Sequence, residues 1–94
     1  MATASTRGAS TANVAAATSS TEVFAANPGA SARIVVNDST AVLRLKFGAA
    51  AASDSFTVKL GAGDYYEFPK PVYDGVVHGI WEAVDGAARV TEVA

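Results

Sequence analysis

The stretch Ala32–Phe47, ARIVVNDSTAVLRLKF, constrains the fold of this chain more than any other. Leu43, Leu45 and Phe47 alternate with Val42, Arg44 and Lys46. A period of two puts successive side chains on opposite faces and marks a half-buried β-strand. Arg33-Ile34-Val35-Val36 reads as a strand before it, and Asn37-Asp38-Ser39-Thr40 as a turn joining the two in a hairpin. Asn and Asp suit such a turn because their side chains hydrogen-bond nearby backbone. In this reading Ile34, Val36, Leu43, Leu45 and Phe47 form an inner wall. Val35, Val42, Arg44 and Lys46 face away, with Val35 and Val42 side by side as a small apolar spot flanked by charge.

The rest of the chain carries the same signals. Glu22–Ala26 is a short strand closed by Asn27-Pro28-Gly29, a sequence that fits a type II turn. Gly48–Asp54 is a small-residue loop, with one helical turn as the alternative for its run of alanines. Ser55–Leu60 alternates with Phe56, Val58 and Leu60 inward, Gly61–Asp64 turns, and Tyr65–Phe68 is a strand stopped by Pro69. Lys70–Gly75 is an irregular crossing. Val76–Val84 is the last long strand, of ambiguous parity, with Trp81 in the core or at its rim and Gly79 marking a bulge or a close backbone approach. Asp85-Gly86 then signals a hairpin to Ala87–Val93. About seven strands with regular turns and no convincing helix predict a small antiparallel β-sandwich, jelly-roll or immunoglobulin-like.

Domain organisation follows from composition. Residues 1–21 are nearly all Ala, Ser and Thr, with Met1 and Val14 the only larger apolar side chains. Such a segment buries too little surface to offset its ordering entropy, so it reads as a flexible arm, either without a role or ordering against a neighbour. Residues 22–94 form the sandwich. At 94 residues the domain is small and its core thin, and such domains often lean on a partner subunit.

Several function classes find no support. Without cysteine there is no disulfide or thiolate metal site. Seven basic residues, dispersed against nine acidic ones, give a net charge of −2 and no nucleic-acid footprint. No apolar run approaches the roughly 20 residues of a membrane helix, and no signal-peptide pattern opens the chain. His78, the only histidine, has no ligand spacing around it and reads as a strand histidine with one structural hydrogen bond. Asp64, Glu67 and Asp74 are turn carboxylates in a domain with little room for a cleft. Gly61-Ala62-Gly63-Asp64 has no helix after it to hold a phosphate, and no G-x-S-x-G motif occurs. These readings predict no enzyme and no cofactor. The aromatic set Tyr65, Tyr66, Tyr73 and Trp81 offers core packing, a protein interface or a stacking platform for sugars.

In order, the segments form a pattern: Arg33 with Asn37-Asp38-Ser39, Leu43-x-Leu45-x-Phe47-Gly48, Phe56–Leu60, Tyr66-Glu67-Phe68-Pro69, Val72–Trp81 and Ala88–Glu92. Over about Glu22–Val93 this resembles a small β-sandwich module of tailed-bacteriophage structural proteins, found as head decoration proteins, head-fibre or spike bases and parts of tail fibres. The resemblance implies no catalytic residue. It implies a multi-copy virion component, assembled in the host cytoplasm, that binds the major capsid protein or a fibre protein. As a symmetric homo-oligomer it would be a trimer or pentamer. A glycan- or receptor-binding fibre module is the alternative. The candidate interface residues are Val14, Val35, Val42, Arg44, Tyr65 and Tyr73.

Overall fold

A computed structural model describes residues 8–94. Eight strands run in the order β1 (Ala9–Ala15), β2 (Thr21–Phe24), β3 (Ala32–Asp38), β4 (Leu43–Phe47), β5 (Val58–Leu60), β6 (Tyr65–Glu67), β7 (Val77–Trp81) and β8 (Ala87–Val93). They form two four-stranded antiparallel sheets. Sheet A has the order β1-β8-β3-β6 and sheet B the order β2-β7-β4-β5.

The pairing shows how the chain is wound. β1 pairs with β8, β2 with β7, β3 with β6 and β4 with β5. The chain is thus one long antiparallel ribbon, closed at the β4–β5 end and rolled up. The roll is sealed by two further pairings, β3 with β8 and β4 with β7. This is the jelly-roll form of the β-sandwich, and the immunoglobulin-like alternative is set aside.

The rolled ribbon corrects the two expected hairpins. β3 lies in sheet A and β4 in sheet B, so the link over residues 39–42 is a corner between sheets. Asn37 makes that corner. Its buried amide donates to the carbonyls of Ala41 at 2.8 Å, Leu60 at 3.1 Å and Gly61 at 3.0 Å, holding the β3–β4 and β5–β6 links together. The Asp85-Gly86 link likewise passes from sheet B to sheet A. Gly86 has φ +78°, a left-handed conformation that glycine adopts without penalty.

The facing of β3 is also corrected. Arg33, Val35 and Asn37 point into the core, while Ile34 and Val36 point outward. Burying an arginine costs heavily unless its donors are met, and here they are. Nε donates to Glu92 at 2.7 Å, Nη1 to the carbonyls of Tyr73 at 3.0 Å and Gly75 at 2.7 Å, and Nη2 to that of Ala25 at 2.8 Å. The guanidinium also lies 4.7 Å from the centroid of the Phe24 ring. In β4 the expected facing holds, with Leu43 and Leu45 buried and Arg44 and Lys46 outward.

Around these strands Phe24, Phe47, Phe68 and Tyr73 form a run of ring contacts 4.8–5.7 Å apart. Trp81 is buried at 2% exposure. Gly79 marks a close approach between strands, since a Cβ there would lie 2.9 Å from Leu43 Cδ1 and 3.0 Å from Val23 Cγ2. The bulge falls instead in β2, between Glu22 and Phe24. Phe56, expected inward, lies outside the shortened β5 and is exposed beside the Arg44 guanidinium.

An eighth strand appears where a flexible arm was expected over residues 1–21. Ala9–Ala15 pairs with β8 along its whole length. Its small side chains bury little, but the backbone ladder, the half-buried Val14 and the buried Ala16 anchor it. Residues 1–7 of the expected arm lie outside the described residues.

Candidate functional site

Antiparallel pairs share a face, so the registers define the outer surface of sheet A residue by residue. One cross-strand row runs Asn13, Arg89, Val36, Tyr65, and the next Thr11, Thr91, Ile34, Glu67. A third runs Ala9, Val93, Ala32. Ile34, Val36 and Val93 are half-buried and Tyr65 is 63% exposed. The result is an open sheet face with an apolar centre over β3 and β6. Arg89 Nε binds Asp38 Oδ2 at 2.9 Å at one margin, with both side chains more than half exposed. An ion pair so exposed contributes little to stability.

The outer face of sheet B is mostly polar, with Ile80 and the exposed Phe56 ring beside Arg44 as its apolar members. Glu22, His78 and Lys46 form one row, and Ile80, Arg44 and Lys59 another. Arg44 Nη1 binds Glu82 at 2.8 Å, and Lys46 Nζ donates to Ser55 Oγ at 2.8 Å. His78 Nδ1 is 2.8 Å from Ser20 Oγ, which accepts the Ala51 N–H at 2.9 Å. The histidine thus makes a structural hydrogen bond from β7 to Ser20, whose hydroxyl in turn fastens the β4–β5 loop to the start of β2. Among the described residues there is no enclosed pocket, and no group of His, Asp or Glu is placed to hold a metal ion.

The six candidate interface residues do not come together. Val35 is removed from the surface altogether: it is fully buried, beside Val90, because β3 faces the opposite way from the sequence reading. It is not beside Val42 either, since the two belong to different layers. Val42 is half-buried in the β3–β4 corner, where its carbonyl accepts the Glu82 N–H at 3.0 Å. Tyr73 is half-buried with its ring stacked on Phe47 at 4.8 Å, which makes it a core-rim residue. Val14 points toward the core from β1. Arg44 and Tyr65 do reach the surface, on the outer faces of opposite sheets.

Sequence reasoning missed the residues that do build the open face, Ile34, Val36 and Val93. It also missed the buried pair Arg33 and Asn37. The only signal for them is that Arg33, Val35 and Asn37 alternate as regularly as Ile34 and Val36 do. A polar–apolar–polar alternation reads as a solvent face unless the acceptors for its donors are known.

The geometry therefore defines a class: a jelly-roll β-sandwich with an open, partly apolar sheet face. Comparisons of the chain with protein families, with curated proteins and with solved structures return no match.

Proposed function

We propose that this protein is a non-enzymatic virion structural protein of a tailed bacteriophage, a capsid decoration or head-spike or fibre-base protein, acting by protein–protein contacts as a homo-oligomer on the major capsid protein or a fibre protein. The observation that carries this reading is the outer face of sheet A, where half-buried Ile34 and Val36 and exposed Tyr65 make a partly apolar centre on the sheet. Contiguous apolar surface rimmed by polar residues is the character of a protein contact site. The jelly roll supports the class, because capsid proteins and lectins both use it, and does not choose within the class.

The glycan-binding alternative has less to stand on. Trp81 is in the core and Tyr73 stacks on Phe47, so Tyr65 remains as a single exposed tyrosine rather than part of a platform.

The test is mass spectrometry of density-purified particles from the source lysate. The expected result is this chain in the particle band, at a copy number matching the shell's symmetry. Introducing Ile34→Arg should strip the chain from the particles while its circular dichroism stays that of the parent. Absence of the parent chain from every particle fraction would overturn the reading.

A further inference from the structure

Each sheet of an open sandwich ends in two edge strands, whose free N–H and C=O groups can pair with another chain. Three of the four edges here carry recognised protection. β2 has a bulge and Glu22. β5 is three residues long and carries Lys59. β6 is three residues long, carries Glu67 and is followed closely by Pro69. β1 is different. It is seven residues long, has no charge and no proline, and keeps an unbroken register with β8.

The hydrogen-bond parity of β1 shows what its open side offers. Ala16 N–H donates to Gly86 O at 3.0 Å, and Ala94 N–H donates to Gly8 O at 2.9 Å. Even-numbered residues of β1 therefore address β8. In an antiparallel ladder the alternate residues point the other way, so Ala9, Thr11, Asn13 and Ala15 present their N–H and C=O groups to an edge that no other described residue pairs.

We propose that the β1 edge is a pairing site occupied by β1 of a second copy of this chain, antiparallel about a two-fold axis at Ala12. This register overlaps all seven residues. It pairs Thr11 with Asn13 of the second copy and Ala9 with Ala15, so every edge-facing residue meets an edge-facing residue, as the ladder requires. The facing side chains are small and uncharged. Arg89, beyond Asn13 in its row, falls in line with Thr91 of the second copy rather than with its own counterpart. Glu92, beyond Ser10, falls in line with the second copy's Ala88 for the same reason. No like charges meet directly. An extended, neutral, small-residue strand of matching length suits this edge, and β1 itself is such a strand. The contact closes on itself and makes a dimer, with sheet A running on through both copies, rather than the trimer or pentamer expected from the resemblance. It does not depend on the virion reading, which stands or falls on the particle band.

The test is sedimentation velocity of the full chain over a range of concentrations, with far-UV circular dichroism to confirm folding. The parent is expected to dimerise reversibly. Thr11→Pro removes an edge-facing N–H, leaves the β8 ladder intact and should abolish the dimer. If that variant misfolds, the charge variants decide. Thr11→Lys with Asn13→Lys sets lysine against lysine across the axis and should weaken dimerisation by about tenfold or more. Thr11→Lys with Asn13→Glu sets lysine against glutamate and should restore it. A parent that is monomeric throughout refutes the proposal. So does a dimer indifferent to these substitutions, or one that both charge variants abolish, which would point to another surface or another protein's strand.

Discussion

Trp81 Nε1 donates to Asn37 Oδ1 at 3.3 Å, a polar bond across the apolar core that joins β7 of sheet B to β3 of sheet A. Ser39 Oγ donates to the same oxygen at 2.8 Å, while the Asn37 amide nitrogen serves three carbonyls. Asn37 thereby holds the corner where the ribbon turns from one sheet to the other.

Asn37→Ala should accordingly be among the most damaging single changes in the protein. It strips the donor from buried carbonyls at both links, at a cost of roughly 3 kcal/mol or more, against about 5–15 kcal/mol for the whole stability of a typical domain. Urea unfolding followed by circular dichroism measures this. Asn37→Asp should do no better at neutral pH, because a carboxylate cannot donate to a carbonyl. A midpoint within error of the parent would contradict the role given to Asn37.

The same bond makes Trp81 a reporter. As the chain's one tryptophan, buried in the core, it should emit at short wavelength, resist iodide quenching and shift red on unfolding. Added sugars should leave the emission unchanged. A sugar-dependent change would revive the stacking reading set aside above.

Arg33 ties three segments to β3: Glu92 on β8, the carbonyl of Ala25 after β2, and the crossing at Tyr73 and Gly75. Arg33→Ala leaves these acceptors without donors inside the fold and should cost about 3–5 kcal/mol. Arg33→Lys should recover only part of this, since an ammonium cannot span acceptors set out for a planar fork. Thermal melts of the two variants, ordered parent, Lys, Ala, are the expected outcome. Equal melts for Lys and parent would count against the fork geometry.

The facing of β3 can be read from neighbouring residues. Val35→Ala removes fully buried methyl groups and should cost about 2 kcal/mol. Ile34→Ala, on the outer face, should cost clearly less despite removing more carbon. The reverse order would restore the facing inferred from the alternation pattern.

Two glycines test close packing. Gly79→Ala pushes a methyl against Leu43 and Val23 and should cost about 1–3 kcal/mol. Gly86→Ala adds a left-handed φ to a clash with the Asp38 carbonyl and with Ser39 Cα at 2.8 Å. A backbone obstacle gives way less than the ends of flexible side chains, so Gly86→Ala should be the worse of the two. Chemical denaturation of the pair checks the order.

How far the sequence carried can be seen strand by strand. The inward face of β4 was legible because large apolar residues alternate there with charged ones, whereas in β7 Ile80 on one face and Trp81 on the other left the parity ambiguous, and the structure turns Val77, Gly79 and Trp81 inward. In β3 the pattern was misleading. Ile34 and Val36 on one side and Val35 on the other are equally β-like, and the tie was resolved by the buried hydrogen bonds of Arg33 and Asn37 to residues up to 59 positions away. β1 escaped notice because Ala, Ser and Thr carry no hydrophobic signal. Its order comes from backbone pairing with β8, more than seventy residues on in the chain.

The opening stretch Ala32–Phe47 summarises the division. Sequence by itself determined that it holds two strands with a polar link, that β4 turns Leu43 and Leu45 inward, and that the whole is an all-β sandwich. These are local properties of period and turn chemistry. Tertiary structure alone decided that the strands lie in different sheets, that Arg33 faces in and Ile34 out, and that the β1 edge is open among the described residues. Each of these depends on which distant backbone groups satisfy a donor or acceptor, and no local pattern encodes that.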